Sequence, residues 1–227
     1  AAIAQQALEL EHVIFAGFSH EPGVRLAEKL LALAPPGLAR VFYADNGSAA
    51  VEIALKMSFH SFLNRGDSKR TRFVALNNGY HGETLGALSM GDIPLYRRVY
   101  APLLLEPLFA PSPDAYDAEP GESAEACALR RASDLETIFE NHEGEICALI
   151  LEPLVQCAGG MRMHHPVYLK RVRDLCDAHG VFLIADEIAT GFGRTGSLFA
   201  FDQAGVQPDL MCLSKGLTGG FLPLCAV

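Results

Sequence analysis

Two short apolar runs, each ending in polar residues, constrain the fold of this chain most strongly. The first spans residues 181–185 and is followed by two carboxylates, Asp186 and Glu187. The second spans residues 209–213 and is followed by Ser-Lys-Gly, with the lysine at Lys215. Such runs are typical of strands buried on both faces of an α/β sheet, and ligands bind in the crevice at the carboxyl ends of these strands. We therefore expect Asp186 and Lys215 at the mouths of two strands.

Other periodic segments alternate strand with helix along the chain. Apolar residues at helical spacing, helix caps and residue propensities predict helices over residues 1–10, 22–34, 48–63, 133–141 and 166–179. Further apolar runs predict strands over residues 41–44, 72–76 and 146–151. Residues 110–126 are rich in Pro, Asp, Glu, Ser and Ala, which predicts an excursion over the surface. The alternation predicts an α/β fold with a largely parallel sheet.

Size and composition indicate one large domain and exclude several functional classes. With 227 residues and 50% hydrophobic content, residues 1–227 can bury a sizeable core as a single domain. The net charge of -9, without a basic run, argues against nucleic acid or an anionic membrane as partner. No apolar stretch is long enough to span a bilayer, and no signal-peptide pattern is present. Six cysteines without a C-x-x-C pair indicate reduced thiols, no metal site and a cytoplasmic location.

A lysine and a carboxylate at neighbouring strand ends suit catalysis by pyridoxal phosphate. The lysine can hold the cofactor covalently, and the carboxylate can keep the pyridine nitrogen protonated so that the ring accepts electrons. Spacing alone does not establish this function, because acids after strands are common and a lysine there is more often a solvated loop residue.

The literal sequence resembles a known family. DEIATGFGRTG, which begins at Asp186, and LSKGLTGG, which begins at Leu213, resemble the class III (fold type I) PLP-dependent aminotransferases, and the resemblance covers nearly the whole chain. It implies a pyridoxal phosphate enzyme with the fold type I large domain, three α/β/α layers around a mostly parallel sheet. Family members are homodimers with the active site at the interface. They also have an N-terminal segment and a C-terminal small domain, which we expect this chain to lack.

The turn between residues 44 and 48 is a candidate phosphate site. Gly47 and Ser48 lie between a predicted strand and a predicted helix, where free N–H groups and the helix dipole favour an anion, although the same residues also suit a simple helix cap. The resemblance implies that both residues bind the cofactor phosphate. It also assigns Lys215 as the covalent attachment point and proton carrier, and Asp186 as the partner of the pyridine nitrogen.

Two residues are assigned to the faces of the cofactor ring, and two more polar residues are considered beside them. Taken alone, Tyr80 suits an aromatic residue packed in the core, but the resemblance places it on one face of the ring, as a catalytic and substrate-binding residue. Ile188 would press on the other face. His81 is interpreted as a structural hydrogen-bonding residue in preference to a proton relay. Glu152 closes a predicted strand and is counted as cofactor-binding, although a direct contact is left open.

Two further residues are candidates for substrate binding. Arg194 suits bidentate recognition of a substrate carboxylate, but a structural ion pair explains it equally well. Glu83 stands where the family pattern has aspartate; it keeps the negative charge that would contact a cationic donor, but its side chain reaches farther. Cys157 replaces a glycine of the pattern.

Differences within the family favour one substrate pair. Glutamate-dependent and ω-amino-acid-dependent members usually have Gln at the position of Ala189 and an acid at the position of Ala158. Those alanines, the Ala-Val-Glu start of the helix after Ser48, and MRMHHP at residues 161–166 match the branch that serves biotin synthesis. The resemblance therefore implies S-adenosylmethionine as amino donor and 8-amino-7-oxononanoate as acceptor, giving 7,8-diaminononanoate. The alternatives are another class III enzyme, such as a glutamate-dependent aminotransferase or an aminomutase, or a PLP-binding module without turnover.

Overall fold

The computed structural model describes all 227 residues and divides them into two compact units, 1–41 and 42–227. The first unit contains two helices, α1 (Ala2–Glu9) and α2 (Glu21–Leu33). The ring nitrogen Nδ1 of His20 accepts a hydrogen bond from the amide of Gly23 and caps α2, and Pro22 occupies its first turn. Both helices predicted for this part of the chain are confirmed.

The second unit contains the remaining helices and all of the strands. Its helices are α3 (Gly47–Asn64), α4 (Leu85–Ser89), α5 (Pro94–Arg97), α6 (Ala124–Asn141) and α7 (Val167–His179). Four 3-10 helices cover Ala101–Leu103, Ala115–Asp117, Ala200–Ala204 and Lys215–Thr218. The strands are β1 (Tyr43–Ala44), β2 (Arg72–Leu76), β3 (Leu108–Ala110), β4 (Ile146–Leu151), β5 (Val155–Gln156), β6 (Arg162–Met163), β7 (Phe182–Asp186), β8 (Leu210–Cys212) and β9 (Cys225–Ala226).

A five-stranded parallel sheet forms the centre of this unit. Its order is β3-β2-β4-β7-β8, with β4 in the middle and buried along its whole length. Helix α3 packs on β4, β7 and β8, while α6 and α7 pack against each other and contact β3 and β7. Helices thus cover both faces of the sheet, which is why its strands are continuous apolar runs. The predicted α/β fold with a mostly parallel central sheet is confirmed.

The tight turns follow from local sequence. Helix α7 ends at Gly180, which adopts a left-handed conformation with φ of +61°, and Val181 then leads into β7. The predicted strand at 41–44 is shorter and lies outside the central sheet, because β1 pairs antiparallel with β9. Strand β8 is also shorter than predicted: Leu213 leaves it and forms an isolated bridge with Ala226.

No helix in the structure has both the length and the apolar character needed to cross a membrane.

Two predictions in the middle of the chain hold only in part, because residues 133–141 are helical and residues 115–126 are largely exposed, but the bounds differ. Helix α6 begins nine residues before the predicted start, because the hydroxyl of Ser123 caps it by accepting from the amide of Ala126. Ser133 instead lies inside the helix and donates to the carbonyl of Leu129. The predicted surface excursion over 110–126 is buried at its start. Asp114 there is fully buried and accepts hydrogen bonds from Ser112 and Arg162.

Candidate active site

The carboxyl ends of the central strands and the first turn of α3 surround a cavity of about 330 Å³. Asp186 at the end of β7 and Lys215 just after β8 both line this cavity, as the order of the strands requires. The other residues around it are Asn46, Gly47, Ser48, Tyr80, His81, Gly82, Glu152, Cys157, Ala158, Ile188, Ala189 and Ser214. Every residue that the sequence analysis assigned to cofactor binding therefore lies around one space, whereas the two further substrate-binding candidates, Glu83 and Arg194, lie outside the lining.

Two contacts hold the carboxylate of Asp186 in the lining of the cavity. Its Oδ1 atom accepts a hydrogen bond from the amide of Ile188 at 3.1 Å, and its Oδ2 atom lies 2.6 Å from Nδ1 of His81. Burial lowers the pKa of His81, but the bond to Asp186 and the negative charges of Asp186 and Glu152 raise it more, so it lies above its ordinary value. His81 thus contacts Asp186 directly, in line with its interpretation as a structural hydrogen-bonding residue.

Lys215 has a free amine and an unusual backbone. Its side chain makes no hydrogen bond or ion pair within the chain, although it lines a cavity that also contains Asp186 and Glu152. Its φ angle of +24° falls in the left-handed region, which costs energy for any residue with a side chain. The preceding Ser214 is anchored, because its hydroxyl donates to the carbonyl of Leu224 at 2.8 Å. The backbone therefore sets the position of Lys215, and no side chain or carbonyl of the chain binds its amine.

The first turn of α3 offers donors for an anion. Asn46 caps the helix by accepting from the amide of Ala49 at 3.0 Å, while the amides of Gly47 and Ser48 have no acceptor within the chain. The hydroxyl oxygen of Ser48 accepts from the amide of Glu83 at 3.0 Å, so its hydrogen remains free to donate. Two amides, a hydroxyl and the helix dipole then point to one anion site beside the cavity.

Tyr80 and Ile188 form two walls of the cavity. The hydroxyl of Tyr80 donates to Glu83 at 3.0 Å, and burial together with this bond raises the pKa of Tyr80 to about 12. Its ring is half-buried and lies 5.3 Å from the ring of Tyr96, so it is not enclosed in the core. Ile188 packs on Gly47, where a Cβ atom would lie only 3.0 Å from its Cδ1 atom.

Glu152 is buried in the wall between Tyr80 and Cys157. Its two carboxylate oxygens accept the amides of these residues at 3.1 and 3.0 Å. Burial raises the pKa of Glu152 to about 7, and the negative charge of Asp186 acts in the same direction. His81 and the two amides lower this pKa, but by less. A carboxyl with this pKa carries a proton for part of the time near neutral pH.

Three other charged residues of the sequence motifs lie outside the cavity lining. Glu83 is exposed and contacts two residues of the lining: its carboxylate accepts from the hydroxyl of Tyr80, and its amide donates to the hydroxyl oxygen of Ser48. Arg194 is exposed and forms no ion pair, so the structural ion pair considered for it is not present. Glu187 is fully buried and accepts from the hydroxyl of Thr190 and, at 2.9 Å, from the amide of Phe201. It holds the loop after β7 and does not face the cavity.

Sequence reasoning missed the role of Gly82. Its φ angle is +128°, and a Cβ atom there would lie 2.1 Å from Oγ of Ser48. Glycine is therefore required for the loop after β2 to approach the anion site. The glycine directly after Tyr80-His81 was the available signal, but its partner is 34 residues earlier in the chain.

The fold and the cavity together define an α/β protein with a lysine and a carboxylate at the ends of neighbouring parallel strands. A family model described as Aminotransferase class-III matches residues 1–227, and the chain belongs to this family. Proteins of this class depend on pyridoxal phosphate.

Individual relatives make the comparison more specific. The chain is 51% identical over 224 residues to the adenosylmethionine-8-amino-7-oxononanoate aminotransferase of Synechococcus elongatus, covering 98% of the chain and 51% of that protein. It is 46% identical over 227 residues to the protein of the same name from Nitratidesulfovibrio vulgaris, covering 99% and 42%. The ω-transaminase from Pseudomonas jessenii, solved in complex with PMP, superposes with a TM-score of 0.94 at 35% identity, covering 99% of this chain and 50% of that one. The chain spans about half the length of the relatives it matches.

Proposed function

We propose that the cavity binds pyridoxal phosphate and that the protein transfers the amino group of S-adenosylmethionine to 8-amino-7-oxononanoate, giving 7,8-diaminononanoate. The observation that carries this proposal is the meeting of Lys215, Asp186 and the first turn of α3 around one cavity. An amine, a carboxylate and an anion site are the three groups needed to hold an aldehyde, a pyridine ring nitrogen and a phosphate.

The residues present fit that cofactor. The unpaired amides of Gly47 and Ser48 leave two donors for phosphate oxygens, and the free hydrogen of Ser48 adds a third. Lys215 has no competing partner within the chain. Both oxygens of Asp186 already accept a bond, but each carboxylate oxygen has capacity for another donor.

The chain's own groups then have distinct tasks. When bound, pyridoxal phosphate supplies an aldehyde that reacts with amines and a ring that accepts electrons. Lys215 would hold the cofactor through its amine and, when that amine is free, would be the base placed to take the proton of the donor carbon. Asp186, oriented by His81, holds a proton at the ring nitrogen. Tyr80 and Ile188, which both line the cavity, would flank the ring.

The substrate assignment has its own support. Relatives at 46% and 51% identity are named for these two substrates, whereas the P. jessenii ω-transaminase is 35% identical. Ala158 and Ala189 both line the cavity, so the wall carries small apolar side chains where glutamate-dependent members have an acid and a glutamine. Tyr80, Glu83 and Arg194 are proposed to contact substrate at the cavity mouth. The second candidate is an ω-transaminase, favoured by the TM-score of 0.94 to that structure.

Assembly and context are also proposed. Residues 1–227 would form the cofactor-binding large domain of a cytoplasmic homodimer. A second copy is supported by an exposed apolar stretch at and after α5, where Leu95, Val99 and Leu103 are 80%, 74% and 65% exposed. An apolar patch of this kind is typical of a protein interface.

The donor half-reaction tests the proposed function. The full-length natural protein and this chain would be loaded in parallel with pyridoxal phosphate, then given S-adenosylmethionine or glutamate while the absorbance of the bound cofactor is followed. We expect S-adenosylmethionine, and not glutamate, to discharge the bound cofactor, which is seen as a loss of its absorbance. Discharge by glutamate alone would overturn the substrate assignment, and no discharge by either donor in a loaded full-length protein would overturn the aminotransferase proposal.

A further inference from the structure

Two loops that form adjoining walls of the cavity are joined by one buried carboxylate. The first loop follows β2 and carries Tyr80, and the second follows β4 and carries Cys157. Glu152 accepts the amide of Tyr80 through Oε2 at 3.1 Å and the amide of Cys157 through Oε1 at 3.0 Å. Its partners lie 72 and 5 residues away, so this one side chain connects a distant loop with its own.

Further contacts bring the same two loops together. The side-chain amide of Gln156 donates to the carbonyl of Asn77 at 2.8 Å. Gly159 approaches Asn78 so closely that a Cβ atom at position 159 would lie 2.3 Å from its carbonyl oxygen. Glu152 is the member of this set that bonds directly to the backbone of Tyr80, the residue whose ring faces the cavity.

We propose that Glu152 is a positioning residue that clamps the amides of Tyr80 and Cys157 and thereby sets the Tyr80 ring against the cofactor. The inference rests on the proposed function in one respect, namely that the Tyr80 ring contacts the cofactor. It gives Glu152 a backbone role that is distinct from the direct cofactor contact left open by the sequence, and the second test below separates the two. Because the N–H groups of Tyr80 and Cys157 already donate to Glu152, the clamp acts on a ligand through the position of the loops.

The chain offers a matched control. Glu187 is another buried glutamate at the end of a neighbouring strand, and it accepts a backbone amide, that of Phe201. Replacing either glutamate by glutamine preserves its shape but turns one acceptor oxygen into a donor NH₂ group. Glu152→Gln also resembles the protonated carboxyl that burial favours at this position, so it should fold.

The first test is hydrogen–deuterium exchange on the 227-residue chain without added ligand. At pH 8, where the carboxyl of Glu152 is ionised, we expect the amide of Tyr80 or Cys157 to exchange about tenfold faster in Glu152→Gln, as loss of a bond to a charged acceptor predicts, with Phe201 unchanged. In Glu187→Gln we expect the reverse pattern. If Tyr80 and Cys157 remain as protected in Glu152→Gln as in the unaltered chain, the clamp is overturned.

The second test asks whether Glu152 acts through Tyr80. The dissociation constant of pyridoxal phosphate would be measured by absorbance for Glu152→Gln, Tyr80→Leu and the double variant. We expect Glu152→Gln to weaken binding about tenfold alone and by less than about twofold in the Tyr80→Leu background. Additive effects would mean that Glu152 contacts the cofactor itself and would overturn the inference. A Tyr80→Leu variant that binds normally would contradict the ring contact of the proposed function, while the exchange experiment would still decide the clamp.

Discussion

The Nδ1 atom of His81 lies 2.6 Å from Oδ2 of Asp186, although the two residues are 105 positions apart in the chain. Both side chains are buried, and the charge of Glu152 also acts on His81. Three buried titratable groups therefore lie close together in the lining of the cavity. Their coupling makes the stability of the fold depend on pH in a predictable direction.

The free energy of unfolding should fall as pH rises through neutrality. The pKa of Glu152 is raised from 4.5 to about 7 in the folded chain, so the folded state binds this proton more tightly than the unfolded state. A difference of that size corresponds to about 3 kcal/mol, lost between about pH 4 and pH 8. The raised pKa of His81 acts in the same direction: its contribution is complete below 6.5 and is lost as pH rises through its folded value.

Urea unfolding at pH 5 and pH 8 measures this effect. We compare the free energy of unfolding of Glu152→Gln with that of the unaltered chain at each pH. This difference should favour the variant by about 2 kcal/mol or more at pH 8 compared with pH 5, because the variant has no charge to bury. Glu143→Gln, at an exposed glutamate, is the control. A difference between Glu152→Gln and the unaltered chain that does not change with pH would contradict the raised pKa.

Lys215 should be the point of covalent attachment for the cofactor. Lys215→Ala removes the free amine of the cavity, so turnover and borohydride-stable labelling of the chain by pyridoxal phosphate should both disappear. Peptide mass spectrometry locates the label in the unaltered protein. Lys170→Ala, at an exposed lysine of α7, should keep both properties. Normal turnover by Lys215→Ala would remove the lysine from the mechanism.

Asp186 should matter for the reaction more than for binding of the cofactor. Asp186→Asn keeps the shape of the side chain but removes the charge that holds a proton at the ring nitrogen. We expect covalent loading to persist while the turnover number falls roughly a thousandfold or more. Single-turnover kinetics on the loaded full-length protein measure the rate. An unchanged rate would show that Asp186 does not act on the ring nitrogen.

Gly82 should be intolerant of a side chain. In Gly82→Ala the new Cβ atom would meet Oγ of Ser48 at 2.1 Å, and φ would remain near +128°, so overlap and backbone strain add to about 3 kcal/mol. Urea unfolding measures the loss, and the affinity for inorganic phosphate should fall as Ser48 is displaced. Gly66→Ala is the matched control, because Gly66 also has a positive φ but nothing within 4 Å of its Cβ position, and about 1 kcal/mol is expected there. Equal losses in the two variants would contradict the steric argument.

Much of the fold could be predicted from local sequence. The apolar runs of β2 and β4 and the end of α7 at Gly180 match the predicted bounds, because burial on both faces and a left-handed cap each leave a local pattern. The start of α6 could not be predicted in the same way. Ser123 and Ser133 are both acceptable caps by type, and only packing against α7 and β3 decides how far the helix extends.

The candidate site likewise contains residues that the sequence predicts and a distinction that needs the tertiary structure. Lys215 and Asp186 stand out in the sequence because each follows a strand-length apolar run, and parallel strands bring such ends to one edge of a sheet. Spacing alone could not distinguish the two acids that follow one another at the end of β7, although the family motif singled out Asp186. Only the tertiary structure shows that Asp186 faces the cavity while Glu187 holds the loop that contains Phe201.

The sequence by itself therefore determined the class of fold, the strand ends that carry the chemistry and, through whole motifs, the family. The tertiary structure decided the contacts of His81 with Asp186, of Glu152 with Tyr80, and of Gly82 with Ser48. These pairs are 105, 72 and 34 residues apart. The physical reason is that periodicity and caps record interactions within a few residues, whereas the partner of a buried polar group depends on which strands become neighbours.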